Sequence, residues 1–137
     1  MRYDRRRIHD YFEVDYIILI FTLRRESGGT DFDRVWNEYK YGFGNVAKDH
    51  WLGLENLKNI MASDGGMIEV RFDMKTINDE PRYYVHSAWG MQSEATSYYT
   101  YWGGQSESNT SAFSFGMTVG NGFVTKDRDY RNETGNW

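Results

Sequence analysis

The side chains best suited to bind a metal ion lie in a polar stretch near the end of the chain, TKDRDYRNETG at residues 125–135. Asp127, Asp129 and Glu133 supply three carboxylates there, and calcium takes about six to eight oxygen ligands from carboxylates and backbone carbonyls. Arg128 and Arg131 place two positive charges in the same stretch. An EF-hand loop would have an oxygen ligand where Arg131 stands and a helix on each side. The residues alone leave two interpretations open, a calcium-binding loop and a solvated charged loop.

Side chains suited to catalysis are few and scattered. His9, His50 and His86 lie far apart, without the spacing of a zinc-binding helix. The chain has no cysteine nucleophile, no G-x-S-x-G elbow and no phosphate-binding glycine loop. A carboxylate pair for glycoside hydrolysis depends on spatial separation, and any acidic protein offers such pairs. The sequence therefore predicts no enzyme, and it indicates no catalytic or cofactor-binding residue.

Two observations point to different compartments. The triplets that begin at Asn109 and Asn132 have the N-x-S/T pattern of N-glycosylation acceptors, which belong to secreted proteins. Such triplets also arise by chance in loops rich in Asn, Ser and Thr. The absence of cysteine, taken alone, slightly favours a reducing compartment or a domain that needs no disulfide bonds.

Composition predicts one domain whose core is built from large rings. Of the 137 residues, 39% are apolar and 18% are aromatic. Each aromatic ring buries about 150–250 Å², so few rings can supply a core. The clusters at residues 82–91 and 97–104 could form a platform for stacking sugars. Core and cross-strand packing is the favoured interpretation of both clusters.

Charge and hydropathy argue against two classes of partner. The net charge of -4 gives no support to nucleic-acid binding, which normally needs a basic stripe. No run of about eighteen apolar residues exists, so no membrane-spanning segment is predicted. Arginines before the apolar run at residues 16–21 resemble the start of a signal peptide. However, acidic residues interrupt the stretch between these arginines and the apolar run. Arg24 and Arg25 follow the run, where a signal peptide would have small residues at its cleavage site. A buried strand is therefore the favoured interpretation.

The pattern of residues 31–45 predicts a helix. Its apolar residues share one face at i, i+3, i+4 and i+7, and they are Phe32, Val35, Trp36 and Tyr39. Thr30 and Asp33 stand where an N-cap and its partner would satisfy free N–H groups, and Gly42 can end the helix. A second helix is predicted within residues 51–61, with Leu54, Leu57 and Met61 on one face and a stop at residues 64–66.

Strands are predicted on both sides of these helices. The clearest is 67–74, where apolar and polar residues alternate. The other predicted strands are 16–23, 82–88 and 97–102. Residues 103–111 are expected to form a loop and residues 120–122 a tight turn. Residues 1–15 are polar and unpatterned, and we expect a poorly ordered lead-in.

Several ordered blocks resemble one known family. They are DFDRVWNEYKYGFGN at residues 31–45, WLGLENL at 51–57, the strand 67–74 and FVTKDRD at 123–129. In this order they are similar to the fibrinogen C-terminal (fibrinogen-related) domain of fibrinogen chains, ficolins, tachylectins and angiopoietins. The resemblance implies an α+β fold with a central antiparallel sheet, short flanking helices and a loop-rich C-terminal part. Residues 16–137 would form a partial domain after the lead-in.

The resemblance also implies a function. Members of the family are mostly secreted, extracellular recognition modules that bind carbohydrate, acetyl groups or protein ligands. Their calcium site uses side chains at the positions of Asp129 and Arg131 and carbonyls at those of Glu133 and Gly135, with Asp127 just before it.

Two departures bear on these expectations. Arg131 replaces a carboxylate with a cation, which should weaken or abolish calcium binding. Trp137 stands where the family has a cysteine, and the family's pocket and second disulfide lie largely beyond that position. We therefore expect an incomplete pocket in these residues. The alternative is a structural or interaction protein that has lost calcium and ligand binding.

Overall fold

The computed structural model describes residues 2–4, 16–18, 20, 22–109 and 122–129. Its helices are α1 (Trp36–Tyr41) and α2 (Leu54–Ser63), with a 3₁₀ turn at Glu94–Thr96. Its strands are β1 (Arg2–Asp4), β2 (Tyr16–Ile18), β3 (Leu23–Arg24), β4 (Phe43–Gly44), β5 (His50–Trp51), β6 (Ile68–Lys75), β7 (Pro81–Met91) and β8 (Thr100–Ser108).

The main sheet is antiparallel, in the order β6-β7-β8. Phe72 lies opposite Tyr84 across β6 and β7, and Trp89 lies opposite Trp102 across β7 and β8. Burial alternates along β6, so the predicted period of two is confirmed. With two short helices beside antiparallel sheets, the predicted α+β class is also confirmed.

The last two strands of this sheet differ from their predicted limits, and β7, predicted over 82–88, runs from Pro81 to Met91. The strand predicted over 97–102 is confirmed only for residues 100–102, because β8 begins at Thr100. The loop predicted from residue 103 is wrong as far as Ser108, and residues 110–111 of it lie outside the described residues. Ser97 and Tyr98 have φ of 53° and 51°, in the left-handed region, which no strand contains. Beyond them, hydrogen bonds to β7 hold glycine and polar residues in a strand that their composition does not favour.

The first helix begins later than predicted, at Trp36 instead of directly after a cap at Thr30. Val35 is the N-cap residue and has no polar side-chain atom, while Thr30 Oγ1 donates to the backbone oxygen of Asp49 at 3.1 Å. The predicted cap at Thr30 and Asp33 is therefore wrong. The Asp31 carboxylate accepts from the Asp33 N–H at 2.8 Å, a local turn that competes with a helical first turn.

The predicted stop at Gly42 is confirmed. This glycine has φ of 98° and its N–H donates to the Glu38 oxygen at 2.8 Å. A Cβ at this position would lie 2.6 Å from the Leu52 oxygen, so only glycine fits here. The glycine therefore ends α1 and allows the chain to pass close to residues 51–52.

A short second sheet has the order β3-β5-β4. Leu23 and Phe43 both lie opposite Trp51. The prediction of one strand over 16–23 is wrong, because β2 and β3 belong to different sheets. Strand β2 pairs with β1, which lies inside the unpatterned lead-in. An apolar run indicates burial without indicating which strand is its partner.

The core lies between α1, α2 and the main sheet. Leu54, Leu57 and Met61 on α2 are buried, which confirms the predicted face. The whole buried cluster consists of Trp36, Leu54, Leu57, Met61, Ile68, Met91 and Tyr98. Neither of the α-helices in the described ranges, of six and ten residues, has the length and apolarity needed to cross a bilayer.

Candidate functional site: a docked segment before the acidic loop

Residues 122–129, here called the docking segment, lie across α1 and the turn before β8. The Phe123 N–H donates to the Ser97 oxygen at 2.6 Å. The Phe123 ring packs at 5.1 Å from Tyr39 and 6.0 Å from Trp36, measured between ring centroids. Thr125 and Arg128 form an antiparallel bridge with N–H···O distances of 3.0 and 3.1 Å. The segment is thus a small folded unit fixed to the scaffold.

Asp127 supplies the cap that α1 lacks locally. Its Oδ1 accepts from the N–H of Trp36, the first residue of α1, at 2.9 Å, and from Thr125 Oγ1 at 2.8 Å. A carboxylate at a helix N-terminus accepts a hydrogen bond from a free N–H, and its negative charge interacts favourably with the positive end of the helix dipole. The Thr125 hydroxyl and the Trp36 N–H both lower the pKa of Asp127, the former more strongly. No local pattern predicts this cap, because the two residues are 91 positions apart.

Glu94 joins three parts of the molecule through one carboxylate. Its Oε2 accepts from Lys40 Nζ at 2.6 Å, and its Oε1 accepts from Trp36 Nε1 at 2.8 Å and Arg128 Nη1 at 3.1 Å. The Arg128 guanidinium also lies 3.9 Å from the Trp36 ring centroid, within cation–π range. Lys40 first, and then Trp36, lower the pKa of Glu94 to about 2. Charge-assisted hydrogen bonds of this kind are stronger than neutral ones.

Lys126 makes the outermost contact of the docking segment. Its Nζ donates to the backbone oxygen of Asp33 at 2.7 Å and lies 3.1 Å from Asp33 Oδ2. Both side chains are largely exposed, so this pair contributes little to stability. The docking segment is therefore held mainly by Phe123, Asp127 and Arg128.

The predicted calcium residues divide between described and undescribed parts of the chain. Asp127 is engaged at α1, where its Oδ1 accepts from two donors. Asp129 is half-buried at the end of the docking segment. Glu133, Gly135 and Arg131 lie outside the described residues. Within the described ranges, no three His, Asp or Glu side chains form a group that could hold a metal.

Of the two predicted glycosylation sites, one lies within the described residues and one outside them. Asn109 is exposed at the end of β8, and its Oδ1 accepts from the Tyr83 N–H at 2.8 Å. Its Nδ2 lies on an exposed side chain, 3.4 Å from the Pro81 oxygen. Asn132 lies outside the described residues.

The aromatic clusters pack across the main sheet. His86 and Trp102 have centroids 5.0 Å apart, and Trp89 and Trp102 have centroids 5.6 Å apart. The favoured interpretation as cross-strand packing is confirmed for these rings. Beneath them lies a cavity of about 440 Å³, with apolar walls from α2, the main sheet and Phe123. Its few polar groups do not match the many hydroxyls of a sugar.

The helices and antiparallel sheets described above form an α+β domain. Comparison of its sequence and fold with known proteins identifies the family. The family model described as the C-terminal globular domain of fibrinogen beta and gamma chains matches residues 13–137. The chain belongs to this fibrinogen C-terminal family. The fibrinogen-like globe domain of human ANGPTL2 superposes with a TM-score of 0.70 at 30% identity, over 79% of this chain and 48% of that one.

Relatives of known identity cover most of this chain. Tenascin-R of Rattus norvegicus is 35% identical over 106 residues, which are 77% of this chain and 7% of the relative. Human ficolin-3 is 31% identical over 113 residues, 82% of this chain and 37% of the relative. Techylectin-5A of Tachypleus tridentatus is 33% identical over 99 residues, 72% of this chain and 32% of the relative. The chain thus spans well under half the length of each of these relatives.

Proposed function

We propose that this chain is part of an extracellular, non-enzymatic recognition module that binds a carbohydrate or protein ligand. The observation that carries the proposal is the family match over residues 13–137. The name of techylectin-5A marks that relative as a lectin, and its similarity extends over 72% of this chain. The docking segment supports the proposal because Asp127 and Arg128 fix it on the scaffold. A polar stretch that continues from a fixed point loses less conformational freedom when it binds a ligand.

Acetylated sugars are the ligand class we propose first. The apolar cavity beneath the main sheet is not the site we propose for them, since its lining offers too few hydrogen-bonding groups. The polar stretch at residues 125–135 carries carboxylates, hydroxyls and amides that suit a hydroxyl-rich ligand. This stretch would supply the part of the pocket that lies within these residues, where hydrogen bonds would orient the sugar and give specificity.

Isothermal titration of the folded 137-residue chain with N-acetylglucosamine tests this function. Glucose is the matched control because it carries a hydroxyl in place of the acetamido group and stays uncharged. We expect heat of binding with the acetylated sugar and at least tenfold weaker binding of glucose. A glycan array then extends the comparison to other acetylated sugars. If a folded sample binds neither sugar and no acetylated glycan on the array, the carbohydrate proposal fails.

A second candidate function is that of a structural or interaction protein without calcium or sugar binding. The observation that favours it is that the chain's own cations hold the docking segment. Arg128 contacts Glu94 and Trp36, and Lys126 contacts Asp33. Arg131 adds a further cation where a calcium ligand is expected. The two candidates differ in whether calcium raises the melting temperature, because a ligand that binds only the folded state stabilises it.

A further inference from the structure

Glu94 stands where α1, the turn before β8 and the docking segment meet, and Phe123 joins the same three parts. Three donors converge on its carboxylate, from Lys40 and Trp36 on α1 and from Arg128 on the docking segment. The Trp36 side chain is 4% exposed, and its indole N–H donates to Glu94. A buried donor without an acceptor is costly, so this contact ties the buried core to the surface network.

Phe123 also joins the docking segment to the turn, through its N–H on the Ser97 oxygen, and to α1, through its ring, but it carries no charge. The remaining contacts of the segment reach fewer parts of the molecule. The Lys126–Asp33 pair is exposed and therefore weak. Asp127 fixes the start of α1, and its carboxylate contacts Trp36 and Thr125 rather than the turn at residues 93–98. Glu94 alone receives a cation from each side, with Lys40 and Arg128 on its two oxygens. Without its charge, those two cations would face each other across the site without compensation.

We propose that Glu94 is the positioning residue of the acidic stretch: it fixes the docking segment on α1 through Lys40, Trp36 and Arg128, without a bound metal. The consequence for binding, which rests on the proposed function, is that Glu94 sets where the polar residues after Asp129 begin. If the segment is docked only part of the time, the apparent affinity of the protein for its ligand is its full affinity multiplied by the docked fraction.

Amide hydrogen exchange followed by NMR tests the proposal on the full chain. The reporters are the amide N–H groups of Trp36, Thr125 and Arg128, which donate within the docked unit. We expect Glu94→Ala to speed their exchange at least tenfold and Glu94→Gln, which keeps an acceptor without the charge, to have an intermediate effect. Amides in the β6–β7 ladder serve as the internal reference and should stay within twofold of wild type.

Three further conditions complete the design. Glu80→Gln is the matched control, because Glu80 is exposed and pairs with a single arginine, Arg82, next to a surface turn. It should leave the reporters unchanged. Arg128→Gln removes the same contact from the other side, at a more exposed position, and should release the same amides. Adding EDTA or calcium to wild type should change none of them. The Trp36 indole N–H resonance should shift in the Glu94 variants.

Three results would overturn the proposal. Unchanged exchange at Thr125 and Arg128 in Glu94→Ala would show that other contacts hold the segment. Equal acceleration in the β6–β7 ladder would show that Glu94 supports the whole fold. Release of the wild-type segment by EDTA would show that a metal holds it. Failure of wild type to bind any sugar would remove the proposed function and leave this exchange pattern intact.

Discussion

At the scale of single residues, the most informative contact is the one between Asp127 and the start of α1. Val35 precedes the helix and cannot cap it, so the cap comes from a carboxylate far along the chain. The same residue forms part of the stretch whose charges suggest calcium binding. In this molecule, its Oδ1 binds a backbone N–H and a hydroxyl. A carboxylate in an acidic sequence can therefore belong to the scaffold instead of a ligand site.

Removing this cap should destabilise the fold by a measurable amount. We expect Asp127→Ala to lower the melting temperature by about 2–6 °C, because losing a cap costs about 1 kcal/mol and each kcal/mol shifts the melting temperature of a domain of this size by a few degrees. Asp127→Asn keeps an acceptor and should have less than half this effect. Thermal unfolding followed by circular dichroism measures both. Asp73→Ala, at an exposed carboxylate paired with Arg71, is the control. Equal effects of Asp127→Ala and Asp73→Ala would contradict the capping role.

The charge at position 131 tests the calcium expectation directly. A cation near the ion's expected position repels it, whereas a carboxylate would attract and bind it. We expect millimolar calcium to leave the melting temperature of wild type within about 1 °C. It should raise that of Arg131→Asp by about 3 °C or more. Arg131→Gln separates loss of the cation from gain of a ligand and should respond less than Arg131→Asp. A clear calcium response of wild type would refute the prediction.

At the scale of elements, the two helices rest on different kinds of interaction. Helix α2 follows the rule of an apolar face, with Leu54, Leu57 and Met61 buried at the predicted spacing. Helix α1 is only six residues long, and an isolated helix of this length is not stable. It persists because distant groups, Asp127 and Glu94, satisfy its first N–H and its buried indole.

Packing on α2 should dominate the stability of the core. Leu57 is 1% exposed, so Leu57→Ala removes buried methyl groups and leaves a cavity. We expect a loss of about 2–5 kcal/mol in the free energy of unfolding, measured by urea denaturation. Tyr41→Ala, at a ring that is 64% exposed at the end of α1, should change it by about 0.5 kcal/mol or less. A loss below about 1 kcal/mol for Leu57→Ala would mean that α2 does not pack as described.

The elements also show which features a sequence can predict. Local patterns sufficed where a single segment determines its own structure, as in β6, α2 and the stop at Gly42. They failed where a distant partner decides the outcome. The length of α1 depends on Asp127, and the path of β8 depends on its bonds to β7. The role of Glu94 had no local signal, because its partners on α1 lie 54 and 58 positions away.

At the scale of the whole molecule, the docking segment connects the surface to the core. Phe123 packs on Trp36 and Tyr39 and also lines the apolar cavity beneath the main sheet. Arg128 covers the outer side of the same tryptophan. The start of the acidic stretch is therefore coupled to the buried cluster. Substitutions that loosen the core near Trp36 should also disturb the position of Asp129.

Acid should unfold this protein because carboxylates are used throughout as hydrogen-bond acceptors. Asp49 is 1% exposed and accepts from Glu26 and Ser27, and these bonds lower its pKa. Hydrogen bonds also lower the pKa of the carboxyl groups of Glu55, Glu94 and Asp127, chiefly from Tyr98, Lys40 and Thr125 respectively. Each group binds protons more weakly in the folded state than in the unfolded chain.

The sign of the pH dependence follows from these lowered pKa values. The stability they contribute is present above the unfolded pKa of about 4 and is lost as pH falls through the folded values, about 2 for Glu94. Between pH 4 and pH 2.5, unfolding should take up between one and about four protons, measured as the slope of the unfolding free energy with pH in urea titrations. Glu94→Gln should reduce that uptake by up to about one proton, because one titrating group is removed. A stability that stays constant from pH 5 to pH 2.5 would contradict the assignment of these carboxylates as charged acceptors. A drop that Glu94→Gln leaves unchanged in slope would remove Glu94 from the set.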